Sequence, residues 1–575
     1  MRKIVFPVQW LLFEAEDLPE VSGVLNPDGS GKLQLGDRNI SGKSVVFPSG
    51  DKINLYDLFA VKPADCQRTY LVGRFDAPEA GRILIGFGAE WRWRFFFNGE
   101  LILDAMTCGN QQMPIDTENH FLLLDCLKGQ NQLVLELYGT GFRHEGIGGG
   151  MDTAIAFYEV PENLAFRYRP LVSFPDSSCG AVSVIFTGSR ASAAAVDFRR
   201  AGEEKWQRIY HNLGGQIRCD QAVHHIRLED LDADTRYEYR AVLLDRFRVL
   251  REEIYSGVNS FTTAPADDKE FSFALTADLQ LFEERFDFLT GMLGKNAPAP
   301  ADFCVFDGDL YWTTNFDLQV MEQFIEPYLD ITDSSLPLVM VRGNHEIYGN
   351  ESYRYFEGFS APYPGREGYY LFRWGQVCFI VLDFCDDHRE IPAPSTRYLH
   401  DFEPYIAAEA RWLKNAVKMD CCKNARYRIV LAHGTPLGDA CEYMPSHVRQ
   451  VIDPLFSGDD PEVKIHLWLA GHVHRPFRSI PRENSCCSML DPDEFGSPLL
   501  RNGENYPFPV VLTGGYSTRL GADMQLTSVN VKVTPEKLIV REFDKMQREF
   551  DRFTISPDGE VNEEFRREDF KFYNY

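Results

Sequence analysis

The sequence between residues 465 and 474 reads Ile465-His466-Leu467-Trp468-Leu469-Ala470-Gly471-His472-Val473-His474. It places two imidazoles two residues apart, directly after a short apolar run that is typical of a buried strand. Imidazole is the commonest metal ligand near neutral pH. The stretch therefore predicts a strand that ends at a metal site.

Four further apolar runs in the second half of the chain also end in side chains that can bind a metal. Their ends read Asp278-Leu279-Gln280, Gly308-Asp309, Gly343-Asn344-His345-Glu346 and His433-Gly434. Helix-like periodicity lies between the runs, at residues 283–295, 317–329 and 402–417. Alternating strands and helices predict a layered α/β domain. Sites in such sheets collect at the carboxyl ends of the strands, so we expect these side chains to lie at one edge.

Length, charge and composition limit the number of domains, the class of partner and the cellular compartment that we expect. A chain of 575 residues exceeds what one core can hold and should divide into several domains. Its formal net charge of −26 argues against nucleic acid or an anionic membrane surface as the main partner. No apolar stretch reaches the ~18 residues that cross a bilayer. The N-terminal apolar run, interrupted by Pro7 and Gln9, reads as a strand rather than a signal peptide. With 13 cysteines that have no repeating spacing, we expect buried thiols and a cytoplasmic protein.

Residues 1–162 are strand-rich. The stretch that starts at Trp91 alternates in polarity and ends in Asn98-Gly99, a strong hairpin signal. This hairpin, followed by a Leu-Lys-Gly turn before a Leu/Val strand, resembles the galactose-binding-like jelly roll of many carbohydrate-active enzymes. The shared face of its large aromatics is expected in the core, and the alternative, a carbohydrate platform, needs exposed rings; the four are Trp91, Trp93, Phe95 and Phe97.

Residues 163–266 form a second all-β unit, with strands predicted at residues 181–186 and 195–198. The leucine pair and the Tyr-x-Tyr strand at residues 228–240 resemble the E–F corner of fibronectin type III-like sandwiches. Purple acid phosphatases carry such a module just before their catalytic domain. Residues 262–268 read as a linker to the α/β domain, which is predicted at residues 267–575.

The five strand-end motifs, in this order, resemble the calcineurin-like metallophosphoesterase superfamily over residues 270–550. Gly514-Gly515 and the Ala410-Arg411-Trp412-Leu413 segment add to the resemblance. The resemblance implies a four-layer αββα sandwich with two metals at the sheet edge. The predicted architecture is therefore two all-β sandwiches followed by an α/β metallophosphoesterase domain.

The resemblance also implies a ligand set for two divalent cations, such as Mn, Fe or Zn. One cation would be held by Asp278, Gln280, Asp309 and His474, and the other by Asp309, Asn344, His433 and His472. Asp309 would then bridge them. Two cations about 3.5–4 Å apart can activate hydroxide as a nucleophile and neutralise a phosphoryl group.

A histidine and an arginine complete the predicted site. His345 suits a general acid for the leaving oxygen or a donor to the phosphoryl group. Arg342 or Arg475 could neutralise substrate charge, with an ordinary surface arginine as the alternative reading of each.

Two positions depart from the family pattern. Gln280 stands where the family usually has histidine, which implies a weaker or differently selective metal site. Trp312 stands where the family has aspartate, or tyrosine in purple acid phosphatases, although Tyr311 lies beside it. The departure implies that there is no ferric purple centre, and it removes the carboxylate that orients the catalytic histidine in other branches.

The sequence thus predicts metal-dependent hydrolysis of a phosphate mono- or diester on a phosphorylated small molecule or glycan. The alternative is a degenerate metallophosphoesterase scaffold that binds glycan through the jelly roll. A glycoside hydrolase is disfavoured, because no paired carboxylates stand apart from the predicted metal ligands.

Overall fold

A computed structural model describes residues 1–13, 32–35, 38–46, 52–58, 68–90, 92–112, 114–138, 151–174, 180–248, 252–265, 269–280, 285–315, 319–355, 368–384, 401–437, 446–484, 503–515 and 526–567. The chain divides into two compact units. Unit 1 comprises Met1–Leu164 with Leu244–Glu253, and unit 2 comprises Ala165–Leu243 with Ile254–Tyr575. The first boundary lies close to the predicted one at residue 162. The division into three domains stays a prediction.

The described part of unit 1 is built from strands and a 3₁₀ turn, Leu55–Leu58. The strands are β1 (Lys3–Ile4), β2 (Gln9–Phe13), β3 (Lys32–Leu35), β4 (Arg38–Ser41), β5 (Lys43–Val45), β6 (Lys52–Asn54), β7 (Arg68–Ala77), β8 (Gly81–Ala89), β9 (Arg92–Phe97), β10 (Glu100–Asp104), β11 (His120–Cys126), β12 (Gly129–Tyr138) and β13 (Asp152–Tyr158). They form a six-stranded sheet in the order β10-β9-β12-β7-β2-β5, a five-stranded sheet β1-β13-β8-β11 with β6 on β13, and the pair β3-β4.

The predicted hairpin at residues 98–99 is confirmed. Strands β9 and β10 pair antiparallel around Asn98 and Gly99, whose φ values of 46° and 87° suit a type I′ turn. Trp93, Phe95 and Phe97 are buried in one apolar core. Trp91 lies outside the described residues. The three described rings therefore present no open face for a sugar to stack on.

Unit 2 begins with an antiparallel region and continues into the α/β region. Its first strands are β14 (Phe166–Ser173), β15 (Val182–Arg200), β16 (Gln207–Tyr210), β17 (Asn212–Leu213), β18 (Gln216–Ile217), β19 (Gln221–Leu228), β20 (Arg236–Leu244), β21 (Glu253–Tyr255) and β22 (Asn259–Thr262). In the predicted corner, the Tyr237 hydroxyl accepts a hydrogen bond from the backbone N–H of Asp232 at 3.1 Å. Of the predicted linker, residues 266–268 lie outside the described residues.

The strands of the α/β region are β23 (Phe271–Thr276), β24 (Phe303–Asp307), β25 (Leu338–Val341), β26 (Tyr370–Trp374), β27 (Val377–Val381), β28 (Tyr427–Leu431), β29 (Leu467–Ala470), β30 (Phe477–Arg478), β31 (Val510–Leu512), β32 (Ser528–Val533), β33 (Leu538–Phe543), β34 (Glu549–Ile555) and β35 (Val561–Arg566). The helices are α1 (Phe286–Leu293), α2 (Glu326–Thr332), α3 (Phe402–Ala416), α4 (Asp420–Lys423) and α5 (Ser446–Phe456). Short 3₁₀ turns occur at His345–Ile347, Ser352–Arg354 and Gly503–Asn505.

One described helix differs from the prediction. The periodic segment at residues 317–329 contains a π-helical turn, Met321–Ile325, that α2 then continues. The second residue of α2 is Pro327. Proline has no N–H to donate to the preceding turn, so a uniform α helix is not available to this sequence. No helix in the part of the chain that the structure describes is long and apolar enough to span a membrane.

Two sheets of unit 2 carry the strands whose ends were predicted to bind metal. In one sheet β23, β24 and β25 run parallel, and in the other β27, β28, β29 and β31 run parallel. Helices α1 and α2 pack on the first sheet, and α3 and α5 pack on the second. The sheets face each other through aromatic rings, such as Phe273 against Phe379 at 5.2 Å between centroids.

The antiparallel region is continuous with the first of these sheets. Strand β14 pairs with β25 in parallel at Ser173 and Leu338, and the Ser173 hydroxyl donates to the Leu338 carbonyl at 2.7 Å. Tyr168, Leu171 and Ile185 belong to the same apolar core as α1 and α2. A strand of the predicted second sandwich thus borders the strand that leads to Asn344.

Candidate metal centre

The ends of five parallel strands bring the predicted side chains together. Strands β23, β24 and β25 lead into Asp278 with Gln280, Asp309, and Asn344 with His345, while β28 and β29 lead into His433 and His472 with His474. The turns after β23 and β24 are linked, because the N–H of Asp278 donates to Gly308 and that of Gln280 donates to Asp309, both at 3.0 Å. The seven predicted metal ligands therefore lie in one site of unit 2.

The backbone at this site adopts unusual conformations. Five of the predicted ligands have a positive φ, between 35° and 69°: Asp278, Gln280, Asp309, His472 and His474. Side chains other than glycine rarely take this conformation, and it persists where the surrounding structure enforces it. Gly308 also has a positive φ of 83°, and a Cβ there would lie 2.5 Å from the His433 ring. The turns thus bring backbone and side chains close together around the site.

Two groups of ligand-type atoms share Asp309. In one group Asp278, Asp309 and His474 offer atoms that all lie within 4.8 Å of one another, and in the other Asp309, His433 and His472 do so. His474 Nε2 lies 3.3 Å from Asp278 Oδ1, and His433 Nε2 lies 3.3 Å from Asp309 Oδ1. The two predicted amide ligands lie beside these groups. Gln280 Nε2 lies 3.2 Å from His474 Nε2, and Asn344 Oδ1 lies 2.9 Å from His472 Nδ1.

The donor chemistry of the site fits metal cations. Asp278 Oδ2, Gln280 Oε1 and His433 Nε2 are buried, and each has no hydrogen-bond partner among the described residues. Imidazole nitrogen suits Fe and Zn, and carboxylate or amide oxygen suits harder cations such as Mn²⁺. The other ring nitrogen of His433 donates to the Asp307 carbonyl, which turns Nε2 toward the two carboxylates. Fixing the second nitrogen in this way is how metal-binding histidines are usually oriented.

Several carboxyl groups are crowded into this buried space. Burial raises the pKa of Asp278, and it raises the pKa of Asp307 to about 8. Burial acts in the same direction on Asp309, but the imidazoles of His433, His345 and His472 outweigh it and hold its pKa below the ordinary value. Burial disfavours the charged form of His433, but the carboxylates of Asp309 and Asp278 raise its pKa. The site therefore favours positive charge.

Glu346 organises the backbone of two of the strand ends. Its carboxylate accepts hydrogen bonds from the N–H groups of Asp309 at 2.9 Å, Leu310 at 2.9 Å and Gly343 at 2.7 Å. It thereby joins the turn after β24 to the turn after β25. Burial and the nearby Asp309 raise the pKa of Glu346 to about 7.

His345 is held at the site by its backbone and by its ring. Its N–H donates to Asp309 Oδ1 at 2.9 Å, and its Nε2 lies 3.8 Å from Asp309 Oδ2. Its Nδ1 lies 2.9 Å from the backbone carbonyl of Trp312. Its ring meets Trp312 and Tyr348 edge to face, at centroid distances of 5.0 and 5.1 Å.

Three further residues named in the sequence analysis are Arg342, Arg475 and Tyr311. The Arg342 guanidinium donates from Nε to the buried Asp383 at 2.9 Å and lies over the Tyr405 ring at 5.3 Å. Arg475 is half-buried. Tyr311 is buried in the apolar core beside α2, and burial raises the pKa of its phenol well above the ordinary value. The predicted substrate contact of Arg342 stays a prediction.

Sequence reasoning assigned no role to three residues that shape the site. Glu346 lies two residues after Asn344 in a quoted motif, and an acid within such a motif is the signal that could have marked it. Asp307 is the last residue of the apolar strand β24, and both of its carboxylate oxygens are buried and have no partner among the described residues. Arg285 donates to the Gln280 carbonyl, a contact for which the sequence gives no local signal. The predicted specificity loops lie largely outside the described residues; they are residues 349–368, 383–397 and 436–445.

Residues 271–476 match the family model described as calcineurin-like phosphoesterase. A search of curated proteins found no match. Among solved structures, a purple acid phosphatase, PPD1 from yellow lupin (Lupinus luteus) seeds, is 14% identical, with 87% of this chain and 94% of that chain covered and a TM-score of 0.48. A structure described as PhoD is also 14% identical, with coverages of 71% and 94% and a TM-score of 0.46. The matched domain and the geometry of the site therefore indicate the function.

Proposed function

With a calcineurin-like phosphoesterase domain at residues 271–476, this chain is a phosphoric ester hydrolase, and we propose that it works through a dinuclear metal centre. The proposed substrate is a phosphate mono- or diester of a small molecule or glycan. When bound, two divalent cations would supply a nucleophile at neutral pH and neutralise charge on the phosphoryl group.

The observation that carries the proposal is the pair of ligand groups that share one carboxylate. Asp309 belongs to both groups, so its two oxygens can serve two neighbouring cations. Asp278, Gln280 and His474 would complete one set of ligands. Asn344, His433 and His472 would complete the other. Each set mixes carboxylate or amide oxygen with imidazole nitrogen, which suits Mn, Fe or Zn.

His345 is the residue proposed to act on the leaving group. Its Nε2 faces the space beside Asp309, while its Nδ1 is engaged with the Trp312 carbonyl. A proton held at Nε2 could pass to the leaving oxygen as its bond to phosphorus breaks. Tyr311 is buried in the apolar core beside α2, which supports a centre without a tyrosinate ligand.

We also propose an architecture for the α/β domain and for the regions that precede it. Helices pack on one side of each of the two sheets, and aromatic rings pack between them, which supports the four-layer αββα order. Apart from the 3₁₀ turn at Leu55–Leu58, the described elements before residue 266 are strands, which supports a jelly roll and a fibronectin-like module. A cytoplasmic location is likewise a proposal.

The direct test is hydrolysis of p-nitrophenyl phosphate and bis-p-nitrophenyl phosphate with Mn²⁺, before and after chelation. We expect activity that chelation abolishes and added Mn²⁺ restores. The relative rates on the two substrates show whether the chain acts on mono- or diesters. Asp309→Asn is expected to lower kcat by at least about 10²-fold, since the shared ligand loses its charge.

A matched control and a metal measurement separate the mechanism from its rivals. Asp460 is exposed, and Asp460→Asn makes the same chemical change away from the site, so it should leave activity unchanged. Elemental analysis should find two cations per loaded chain and fewer in the Asp309 variant. Chelator-resistant activity would contradict the metal mechanism. A chain that binds no metal and has no activity would instead favour the glycan-binding scaffold.

A further inference from the structure

We propose that Trp312 and Tyr348 form a clamp around the His345 imidazole and act as positioning residues for its proton transfer to the leaving group. The inference rests on the proposed function, because it concerns the residue that would protonate the leaving oxygen. It assigns a role to the position where the sequence departs from the family pattern. The clamp consists of the Trp312 carbonyl and the rings of Trp312 and Tyr348.

The first part of the clamp is a hydrogen bond that selects one tautomer. A backbone carbonyl can only accept, so the 2.9 Å contact with the Trp312 carbonyl requires a hydrogen on His345 Nδ1. With Nδ1 occupied in this way, Nε2 is the ring atom left to act on a substrate. Nε2 lies 3.8 Å from Oδ2 of Asp309, one of the proposed ligands.

The second part of the clamp is the packing of the Trp312 and Tyr348 rings against the imidazole. The Trp312 ring meets the imidazole at 82° with 5.0 Å between centroids, and the Tyr348 ring meets it at 72° with 5.1 Å. Edge-to-face contacts at these distances are favourable arrangements of aromatic rings. Rotation of the imidazole would break them. The backbone of His345 is fixed as well, by its 2.9 Å bond to Asp309.

The hydrogen bond from His345 Nδ1 to the Trp312 carbonyl can exist both before and after the proton transfer. As the phosphorus–oxygen bond breaks, its electron pair remains on the leaving oxygen, and the proton on Nε2 moves to that oxygen to form the alcohol. His345 is then neutral and still carries its hydrogen on Nδ1. The bond to the Trp312 carbonyl therefore remains unchanged while Nε2 loses its proton.

Trp312 allows a clean experiment because 38% of it is exposed to solvent. Trp312→Ala removes the ring that contacts the imidazole, without opening a buried cavity. Trp312→Phe keeps an aromatic ring at the same place and serves as the matched control. Both variants are made in the full chain loaded with Mn²⁺.

The readout is the dependence of rate on the leaving group. A p-nitrophenolate leaves readily without a proton, whereas an alkoxide needs one, so we compare p-nitrophenyl and ethyl esters of the ester class that the chain hydrolyses. Trp312→Ala is expected to lower kcat for the ethyl ester by about 10- to 100-fold and for the p-nitrophenyl ester by less than about threefold. KM should change little. Trp312→Phe should stay within about threefold of the wild type on both.

A second readout does not need turnover. Nitrogen NMR of the chain carrying ¹⁵N-labelled histidine, with His345→Asn to assign the resonance, should show His345 as the Nδ1–H tautomer. Trp312→Ala should shift it toward a mixture of tautomers. Equal losses on both esters, or an unchanged tautomer together with unchanged rates, would overturn the clamp. If the wild-type chain hydrolyses neither ester, the proposed function fails, and the tautomer in the two variants still decides whether the clamp exists.

Discussion

At the scale of single residues, the buried carboxylate of Glu346 holds the backbone of Asp309, a predicted metal ligand. It does not contact the side chain that would bind the metal. It accepts three backbone N–H groups, from Asp309, Leu310 and Gly343. These donors belong to the turns after β24 and β25, which carry Asp309 and Asn344. Mutation of a group that holds a metal ligand in place typically lowers metal affinity by about 10- to 100-fold.

We therefore expect Glu346→Gln to weaken cation binding by about 10- to 100-fold, because its amide nitrogen cannot accept from a backbone N–H. Isothermal titration with Mn²⁺ measures the change. Glu504 is exposed, so Glu504→Gln is the matched control and should bind Mn²⁺ as the wild type does. An Mn²⁺ affinity equal to that of the wild type in the Glu346 variant would show that the three hydrogen bonds do not position the site.

The sequence could predict which residues meet at the site, but it could not predict how His345 is oriented. The histidines, aspartates and amides follow strands, and strand ends in parallel sheets share an edge, so local patterns were enough to place them together. The group that orients His345 is a backbone carbonyl, that of Trp312. Every residue has such a carbonyl, so the identity of the side chain at that position gives no indication of it.

At the scale of elements, a buried arginine ties the C-terminal strands to the second sheet. Arg478 on β30 donates from Nε to Asp551 on β34 at 2.7 Å, and it contacts Glu563 on β35 at 2.7 Å. It is 2% exposed, and its guanidinium lies 4.3 Å from the centre of the Phe553 ring. A buried charge without its partner is costly, so this contact should hold β34 and β35 in place.

Arg478→Met is expected to lower the free energy of unfolding by about 3–5 kcal/mol, because it leaves Asp551 buried without its partner. The exposed pair of Arg482 and Asp459, 2.6 Å apart, provides the control. Arg482→Met should change stability by less than about 1 kcal/mol. Urea unfolding measures both, and hydrogen exchange should show early opening of β34 in the first variant. Equal stability of the two variants would mean that the buried pair does not fasten the strands.

A pair of histidines gives the β16–β19 region a predictable response to pH. His211 Nδ1 lies 3.0 Å from His224 Nδ1, and His224 Nε2 lies 3.2 Å from the Ser192 hydroxyl. Burial and then Arg218 lower the pKa of His211 to about 4, and burial and then His211 lower that of His224 to about 3. Both rings are therefore neutral in the folded protein at pH values where unfolded histidine, with a pKa of about 6.5, takes up a proton.

Because the unfolded chain binds more protons in this range, the free energy of unfolding should fall as the pH drops from about 6.5 to about 4. Each histidine contributes up to about 1.4 kcal/mol per pH unit. His211→Asn removes one such group and should make the pH dependence shallower by about that amount. Urea unfolding at several pH values, with the variant compared with the wild type, isolates this contribution. An identical slope would indicate that His211 titrates normally in the folded state.

Elements with a strong local pattern were predicted well, and pairings between distant segments were not predicted. The alternating stretch before Asn98-Gly99 and the apolar runs of β23, β24, β25, β28 and β29 were found from periodicity alone. The parallel pairing of β14 with β25 joins Ser173 to Leu338, which lie far apart in the chain. Neither strand carries a local signal of its partner, so this pairing appears only in the structure.

At the scale of the whole molecule, the antiparallel region at residues 165–243 belongs to the same compact unit as the phosphoesterase domain. Tyr168, Leu171 and Ile185 share an apolar core with α1 and α2. Arg169 adds polar contacts at its Nε to Glu326 at 3.0 Å and at its Nη2 to Asp330 at 2.7 Å. The antiparallel region and the phosphoesterase domain should therefore depend on each other for stability.

This dependence can be tested by truncation. A chain that begins at Ala165 should keep two cations and its activity on p-nitrophenyl esters. A chain that begins at residue 267 lacks β14 and should melt at least about 5 °C lower, since it loses both core and strand pairing. Thermal unfolding and elemental analysis measure the two properties. Equal melting temperatures would show that the domain folds without its neighbour.

The pairing of β14 with β25 has a mechanical consequence. Strand β25 leads directly to Asn344 and His345, and it is joined edge to edge with β14 rather than through a flexible tether. A change that displaces β14 should therefore also displace the start of β25, the strand that leads into the turn with two residues of the site.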